Sequence, residues 1–95
     1  MAISPTLASR VHVNDDVLFQ DLHGEGVLLN LKTGVYFGLN QVGTRVWQLL
    51  EKPTVLSEIL KAVVAEYDVP EDDFARDLVT LITEMEQHGL VTLSE

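Results

Sequence analysis

Val27-Leu28-Leu29-Asn30-Leu31-Lys32-Thr33-Gly34-Val35-Tyr36-Phe37-Gly38-Leu39-Asn40 is the stretch that decides the fold. Two apolar runs flank Lys32-Thr33-Gly34, and a short loop ending in glycine suits a hairpin, because glycine accepts the positive φ such loops demand. Upstream, Val17-Leu18-Phe19-Gln20-Asp21-Leu22 reads as another strand, ended by the turn-forming His23-Gly24-Glu25-Gly26. Arg10-Val11-His12-Val13 reads as an extra extended piece. The first half is therefore expected to be an antiparallel three-stranded meander.

Past Asn40 the apolar period changes to that of a helix. Asn40 is a good N-cap for a helix through Leu50, with Val42, Val46, Trp47, Leu49 and Leu50 apolar. Glu51-Lys52-Pro53 breaks it, and Thr54 is expected to cap a second helix with Leu56, Ile59, Leu60, Val63, Val64 and Tyr67 on one stripe. After Asp68-Val69-Pro70, a third helix opens with Glu71, Asp72 and Asp73, where the dipole favours anions. Its core face is Phe74, Leu78, Leu81, Ile82 and Met85, and Gly89 is placed to end it in the left-handed conformation. Leu90-Val91-Thr92-Leu93 returns as an extended tail. The expected class is α+β, a winged helix-turn-helix: a three-stranded N-terminal meander followed by three helices.

Composition narrows the function. The chain has 95 residues, 46% of them hydrophobic, no cysteine and a formal net charge of −9. This length suits one domain that buries about 65% of its unfolded surface. The apolar content argues against disorder. Without cysteine there is no disulfide, thiolate catalysis or zinc finger. The opening MAISPTLASR lacks the continuous apolar stretch of a signal peptide, and no run reaches the ~20 apolar residues of a membrane span, so a cytoplasmic domain is expected. The charge is uneven: residues 1–50 hold four acids and three bases, residues 51–95 eleven acids and three bases.

Catalytic and metal-binding patterns are missing from the sequence. Ser4, Ser9, Ser57 and Ser94 sit in no nucleophile elbow, and His12, His23 and His88 lack metal-ligand spacing. His88 suits bonding to the last carbonyls of its helix. Gly24 and Gly26 make G-x-G without the third glycine of a dinucleotide loop. Glu71, Asp72, Asp73 and Asp77 cluster on a helix start instead of alternating along a calcium loop. Trp47 fits a core anchor. No cofactor, no metal and no enzymatic activity are expected.

The alternative reading is a winged-helix DNA-binding or regulatory domain. In such domains the start of the recognition helix approaches the bases. Here that helix begins Pro70-Glu71-Asp72-Asp73, with Asp77 a turn later and only Arg76 basic, an arrangement that repels phosphates. Neither nucleic acid nor an anionic membrane suits this surface. The third strand is more informative. Residues 35–39 carry no charge and no proline, yet the strand lies on the edge of a meander, a position that natural sheets protect. It is a receptor for an extended peptide, unless the C-terminal tail covers it or a second copy pairs with it as a homodimer.

The run from Val27 to Asn40, followed by Gly43-Thr44-Arg45-Val46-Trp47, and the later Asp77-Leu78-Val79 and Gly89-Leu90-Val91, resemble the PqqD-like family. These are recognition elements for leader peptides of ribosomally made, post-translationally modified peptides. The resemblance covers roughly residues 15–92, leaving 1–14 as a partly extended N-terminal arm. Its most specific part is N-L-x-T-G-x-Y-F-G-L-N with the following G-x-x-x-W. The hairpin is closer to stand-alone elements of lasso-peptide and radical SAM peptide clusters than to the pyrroloquinoline-quinone member. The resemblance therefore points to the family and not to one pathway.

The resemblance implies a non-catalytic adaptor. A precursor leader lies antiparallel to the third strand, in the groove beside the third helix, and a separate radical SAM, protease or cyclase enzyme modifies the core peptide. Carried onto this sequence, the strand residues are Val35, Tyr36, Phe37, Gly38 and Leu39. On the helix, Asp73, Asp77, Thr80 and Glu84 with Leu81 form the face assigned to the groove, and Ala75, Val79 and Ile82 widen the apolar face on the other flank.

Overall fold

The computed structural model describes residues 5–94, so residues 1–4 of the expected arm and Glu95 lie outside the described residues. In chain order the elements are β1 (Arg10–Val13), β2 (Val17–Leu22), β3 (Glu25–Asn30), β4 (Tyr36–Gly38), α1 (Gln41–Leu49), β5 (Thr54–Val55), α2 (Leu56–Glu66), α3 (Glu71–Gln87) and β6 (Val91–Ser94). The meander β2-β3-β4 is antiparallel, with Phe19 opposite Leu28 and Leu28 opposite Phe37. These residues share the face toward the core, while Leu18, Leu29 and Tyr36, paired in the neighbouring row, share the outer face.

The first turn is tighter than the four residues His23 to Gly26 suggest. Leu22 pairs with Glu25, so only His23 and Gly24 form the loop, with φ of 59° and 88°. This is the primed two-residue turn whose twist matches its strands. Gly26 lies inside β3 because α1 approaches it there. Its N–H donates to the buried Thr44 Oγ1 at 2.6 Å, and a Cβ at this position would meet Phe19 Cε1 at 2.5 Å. Asn40 caps α1 through Oδ1, which accepts from the Gly43 N–H at 2.8 Å.

Thr54 does not cap α2. Thr54 and Val55 form β5 against β1, and Val55 occupies the cap position without a side-chain hydrogen bond. Backbone pairing has outcompeted local capping here, because the extended N-terminal piece is present to receive it. A second sheet results, in the order β5-β1-β6, with Val11 opposite Leu93. The described residues therefore form six strands in two sheets, and the meander alone understates them. Val11, Leu28, Val46, Leu56, Val63, Leu78, Ile82 and Met85 are buried in one core that joins both sheets to all three helices. Trp47 is buried in that core.

Helix α3 ends in a Schellman motif. The Leu90 N–H reaches the Met85 carbonyl at 2.8 Å, the Gly89 N–H reaches the Glu86 carbonyl at 3.0 Å, and Gly89 has φ of 72°. The tail then pairs with β1. It does not cover β4.

On the surface, Arg45 of α1 grips Glu66 of α2 with Nε to Oε1 at 2.8 Å and Nη2 to Oε2 at 2.9 Å. The hydrogen bond holds the Glu66 carboxyl below its usual range and raises the Arg45 guanidinium. A carboxyl depressed in the folded state stabilises above its unfolded value, and this contribution fades as pH falls through the folded one. Glu66→Gln is expected to lower Tm slightly at neutral pH and to show no deficit below the carboxylate range, checked by thermal melts across pH. Thr44→Val, which keeps the shape but orphans the buried Gly26 N–H, should cost about 1–3 kcal/mol by urea denaturation.

Candidate peptide-binding groove

Strand β4 has one hydrogen-bonding side occupied and one open. The Asn30 N–H donates to the Val35 carbonyl at 3.0 Å and the Leu39 N–H to the Gly26 carbonyl at 2.8 Å. Antiparallel pairing alternates, so the backbone groups of Val35, Phe37 and Leu39 point at β3. Those of Tyr36 and Gly38 point away from the sheet. β4 is the last strand of its sheet, and among the described residues no strand lies beyond it. An extended chain therefore finds two N–H donors and two carbonyl acceptors along this edge.

Beside the edge runs an open groove of about 480 Å³. Its floor is apolar: Phe37 and Leu39 from the strand side, Val42 from α1, and Phe74, Leu78 and Leu81 from α3. Asp73, Asp77 and Glu84 stand along the helix side, and Val69 and Pro70 close one end. Among the strand residues singled out from sequence, Phe37, Gly38 and Leu39 line the groove; Val35 and Tyr36 do not. Val35 precedes β4 at the turn, and the Tyr36 side chain, 69% exposed, stands on the outer sheet face. On α3, Asp73, Asp77, Leu81 and Glu84 line the groove together. Thr80 is exposed and lies away from it. Ile82, on the other flank, is fully buried in the core.

Sequence reasoning missed Asn40, Val42, Gly43, Val69, Pro70, Phe74 and Leu78 as groove lining. Phe74 and Leu78 were readable only as core, because a core position that also floors a groove has the same period. Val69 and Pro70 belong to a connector whose position beside β4 is set by tertiary packing. No local pattern marks it.

The groove keeps its width because β4 is tied to the end of α3. Buried Asn30 donates through Nδ2 to the His88 carbonyl at 2.9 Å, and its Oδ1 accepts from the Lys32 N–H at 3.0 Å. The His88 ring packs edge-on against Phe37 with centroids 5.3 Å apart, and its Nδ1 lies 2.7 Å from the Glu84 carbonyl oxygen. Asn14 completes the helix end, donating through Nδ2 to the Gly89 carbonyl at 2.7 Å.

The charge on this wall is negative. Asp73 pairs with the exposed Arg76, while Asp77 and Glu84, also exposed, line the groove. Glu71, Asp72 and Asp73 occupy the first turn of α3, a surface that opposes a phosphate backbone. Among the described residues, no group of His, Asp or Glu is arranged to hold a metal ion, and no helix is long and apolar enough to cross a membrane.

A winged helix-turn-helix with a free strand edge beside its last helix defines a class of small domain built around an extended groove. The chain belongs to the PqqD family, matching the family described as Coenzyme PQQ synthesis protein D over residues 25–91. Among solved structures it is similar to TbiB1 in complex with the TbiA(beta) leader peptide. The two are 39% identical, the match covers 84% of this chain and 93% of that one, and the TM-score is 0.78. It also shares the fold of a lasso peptide synthetase B1 complexed with the leader peptide, at 22% identity over 86% of this chain and 96% of that one, with a TM-score of 0.70. Among curated proteins no relative matches.

Asn30→Ala removes the tie between the hairpin and α3 and leaves the His88 carbonyl and the Lys32 N–H without it. A loss of about 1–3 kcal/mol in stability is expected by chemical denaturation. Faster amide exchange should appear first around Phe37 and His88.

Proposed function

We propose that this chain is a non-catalytic adaptor that binds the leader of a ribosomally synthesised precursor peptide. The leader adds as a strand antiparallel to β4 and is presented to a separate modifying enzyme of the radical SAM, protease or cyclase class. The open hydrogen-bonding edge of Tyr36 and Gly38 beside an apolar groove carries this reading. The 39% identical TbiB1, in complex with the TbiA(beta) leader peptide, supports it. The proposed location is the cytoplasm, where such precursors leave the ribosome.

Binding energetics divide the work between edge and groove. Each strand hydrogen bond contributes about 1 kcal/mol net. Ordering each peptide residue costs roughly 1–2 kcal/mol, so the ladder alone about breaks even. The surplus comes from side chains buried on Phe37, Leu39 and Leu81, at roughly 1.5–3 kcal/mol for each large apolar group. Asp77 and Glu84 at the mouth favour a leader that carries lysine or arginine near its apolar anchors.

The test turns on the direction of one N–H. The Tyr36 N–H faces the open edge, where proline is tolerated, so Tyr36→Pro leaves the β3–β4 ladder intact. Against peptides enriched on the full chain from a random display library, Tyr36→Pro should bind about tenfold more weakly with little change in Tm. Leu81→Asp should weaken binding comparably from the groove side. A folded Tyr36→Pro variant that binds as tightly as the parent removes strand addition as the mode of binding.

A further inference from the structure

A strand added to β4 places its side chains alternately on the two faces of the sheet. The groove against α3 receives only one of these sets. The other set falls on the outer face, where Leu22, Glu25, Val27 and Gly38 line a second, shallower depression of about 440 Å³. Gly38, Leu39 and Asn40 line both hollows, so β4 is the ridge between them. The outer hollow is continuous with the edge that the leader occupies.

Gly38 is the informative residue. Its φ is outside the left-handed region that Gly24, Gly34 and Gly89 occupy, and a Cβ built on it would meet nothing within 4 Å. The fold therefore does not require glycine here. Gly38 is the last residue of β4, and glycine in a strand leaves no side chain to pack and often marks a site where another group approaches. Val27 is its cross-strand partner on the outer face, and Leu22, 51% exposed, lies on that face one row along β2. The missing side chain leaves a hollow at the open edge, with Val27 beside it and the Glu25 carboxylate at its rim. A bulky neighbour across the strand pair covers such an edge glycine well.

We propose that the leader is read on both faces of the sheet, and that the residue opposite Gly38 is a large apolar one, aromatic or branched aliphatic, seated over Gly38 against Val27, with Glu25 and Leu22 at the far rim. This subsite rests on the strand-addition reading above. Because the backbone groups of Gly38 point to the open edge, the residue opposite it forms a hydrogen-bonded pair and its side chain projects to the same face. Specificity then has two sources. One side chain is chosen by the α3 groove and another, one residue away in the leader, by the outer hollow.

The full chain, Gly38→Val and Tyr36→Pro are each selected against one display library of random peptides of about 10 residues, with sequencing of the enriched pools. For the parent chain, large apolar residues should be enriched in both alternation phases. For Gly38→Val, the large residue should disappear at a single position and be replaced by glycine or alanine, with the groove-facing phase unchanged. A parent-selected peptide should lose about tenfold in affinity for Gly38→Val and recover it when that one residue is trimmed to alanine. Identical preferences for the parent and Gly38→Val overturn the outer subsite while leaving strand addition standing. Enrichment by Tyr36→Pro equal to that of the parent, or none by the parent, overturns strand addition and the subsite with it.

Discussion

One buried amide fixes the geometry on which the groove depends. Asn30 stands at the end of β3, and its side chain reaches both the turn that leads into β4 and the last carbonyls of α3. A strand edge and a helix can shift against one another unless something polar and directional holds them, since apolar packing is tolerant of sliding. The Asn30 bonds supply that direction in a site withdrawn from water, where such bonds are costly to break. Gly89 belongs to the same constraint. A Cβ there would meet Asn30 Nδ2 at 2.8 Å, so the residue that ends α3 must be small as well as left-handed.

The same helix end decides what the C-terminal tail does. The Schellman turn sends Leu90 toward Asn14, whose N–H donates to the Leu90 carbonyl at 3.0 Å, and β6 continues along β1. The tail is thereby committed to the second sheet and β4 keeps its free edge. An apolar edge is an aggregation hazard in most proteins. Here it is only three residues long, and the chain carries a net charge of −9 that opposes self-association. The domain tolerates the hazard by keeping the edge short.

Much of this was legible in the sequence. The hairpin glycine, the Asn40 cap, the three amphipathic stripes and the Gly89 terminus are local signals, and each leads to the element found. The second sheet was hidden because its pairings join residues far apart in the chain, Arg10 with Val55 and with Ser94, and no local period records partners so distant. Thr54 shows the converse, a good cap residue overruled by a distant strand. For the groove, helical spacing grouped Asp73, Asp77, Thr80 and Glu84 with Leu81 on one flank, the family resemblance assigned that flank to the groove, and all but Thr80 line it. Tyr36 takes part through its open-edge backbone, since period 2 sends its side chain to the opposite face from Phe37. The Phe74 and Leu78 floor was invisible because core and groove share one apolar face.

The acidic balance acquires a different meaning from its position. In a winged helix-turn-helix that reads DNA, the start of the last helix is the contact surface, and its charge must attract phosphate. Here the corresponding turn holds Glu71, Asp72 and Asp73, and the wall behind it adds Asp77 and Glu84. Exposed carboxylates of this kind contribute little affinity, because water and salt screen them. They govern which chains approach and in which orientation, since an encounter is steered by the summed field long before contact. In the proposed binding mode, the apolar floor beneath them supplies the holding energy once a chain is aligned on β4. Affinity and selection thus come from different layers of one groove, the floor beside the strand edge and the acidic rim above it. Under the proposed function, the same acids that repel phosphate from the helix would favour cationic extended peptides at the edge of Tyr36 and Gly38.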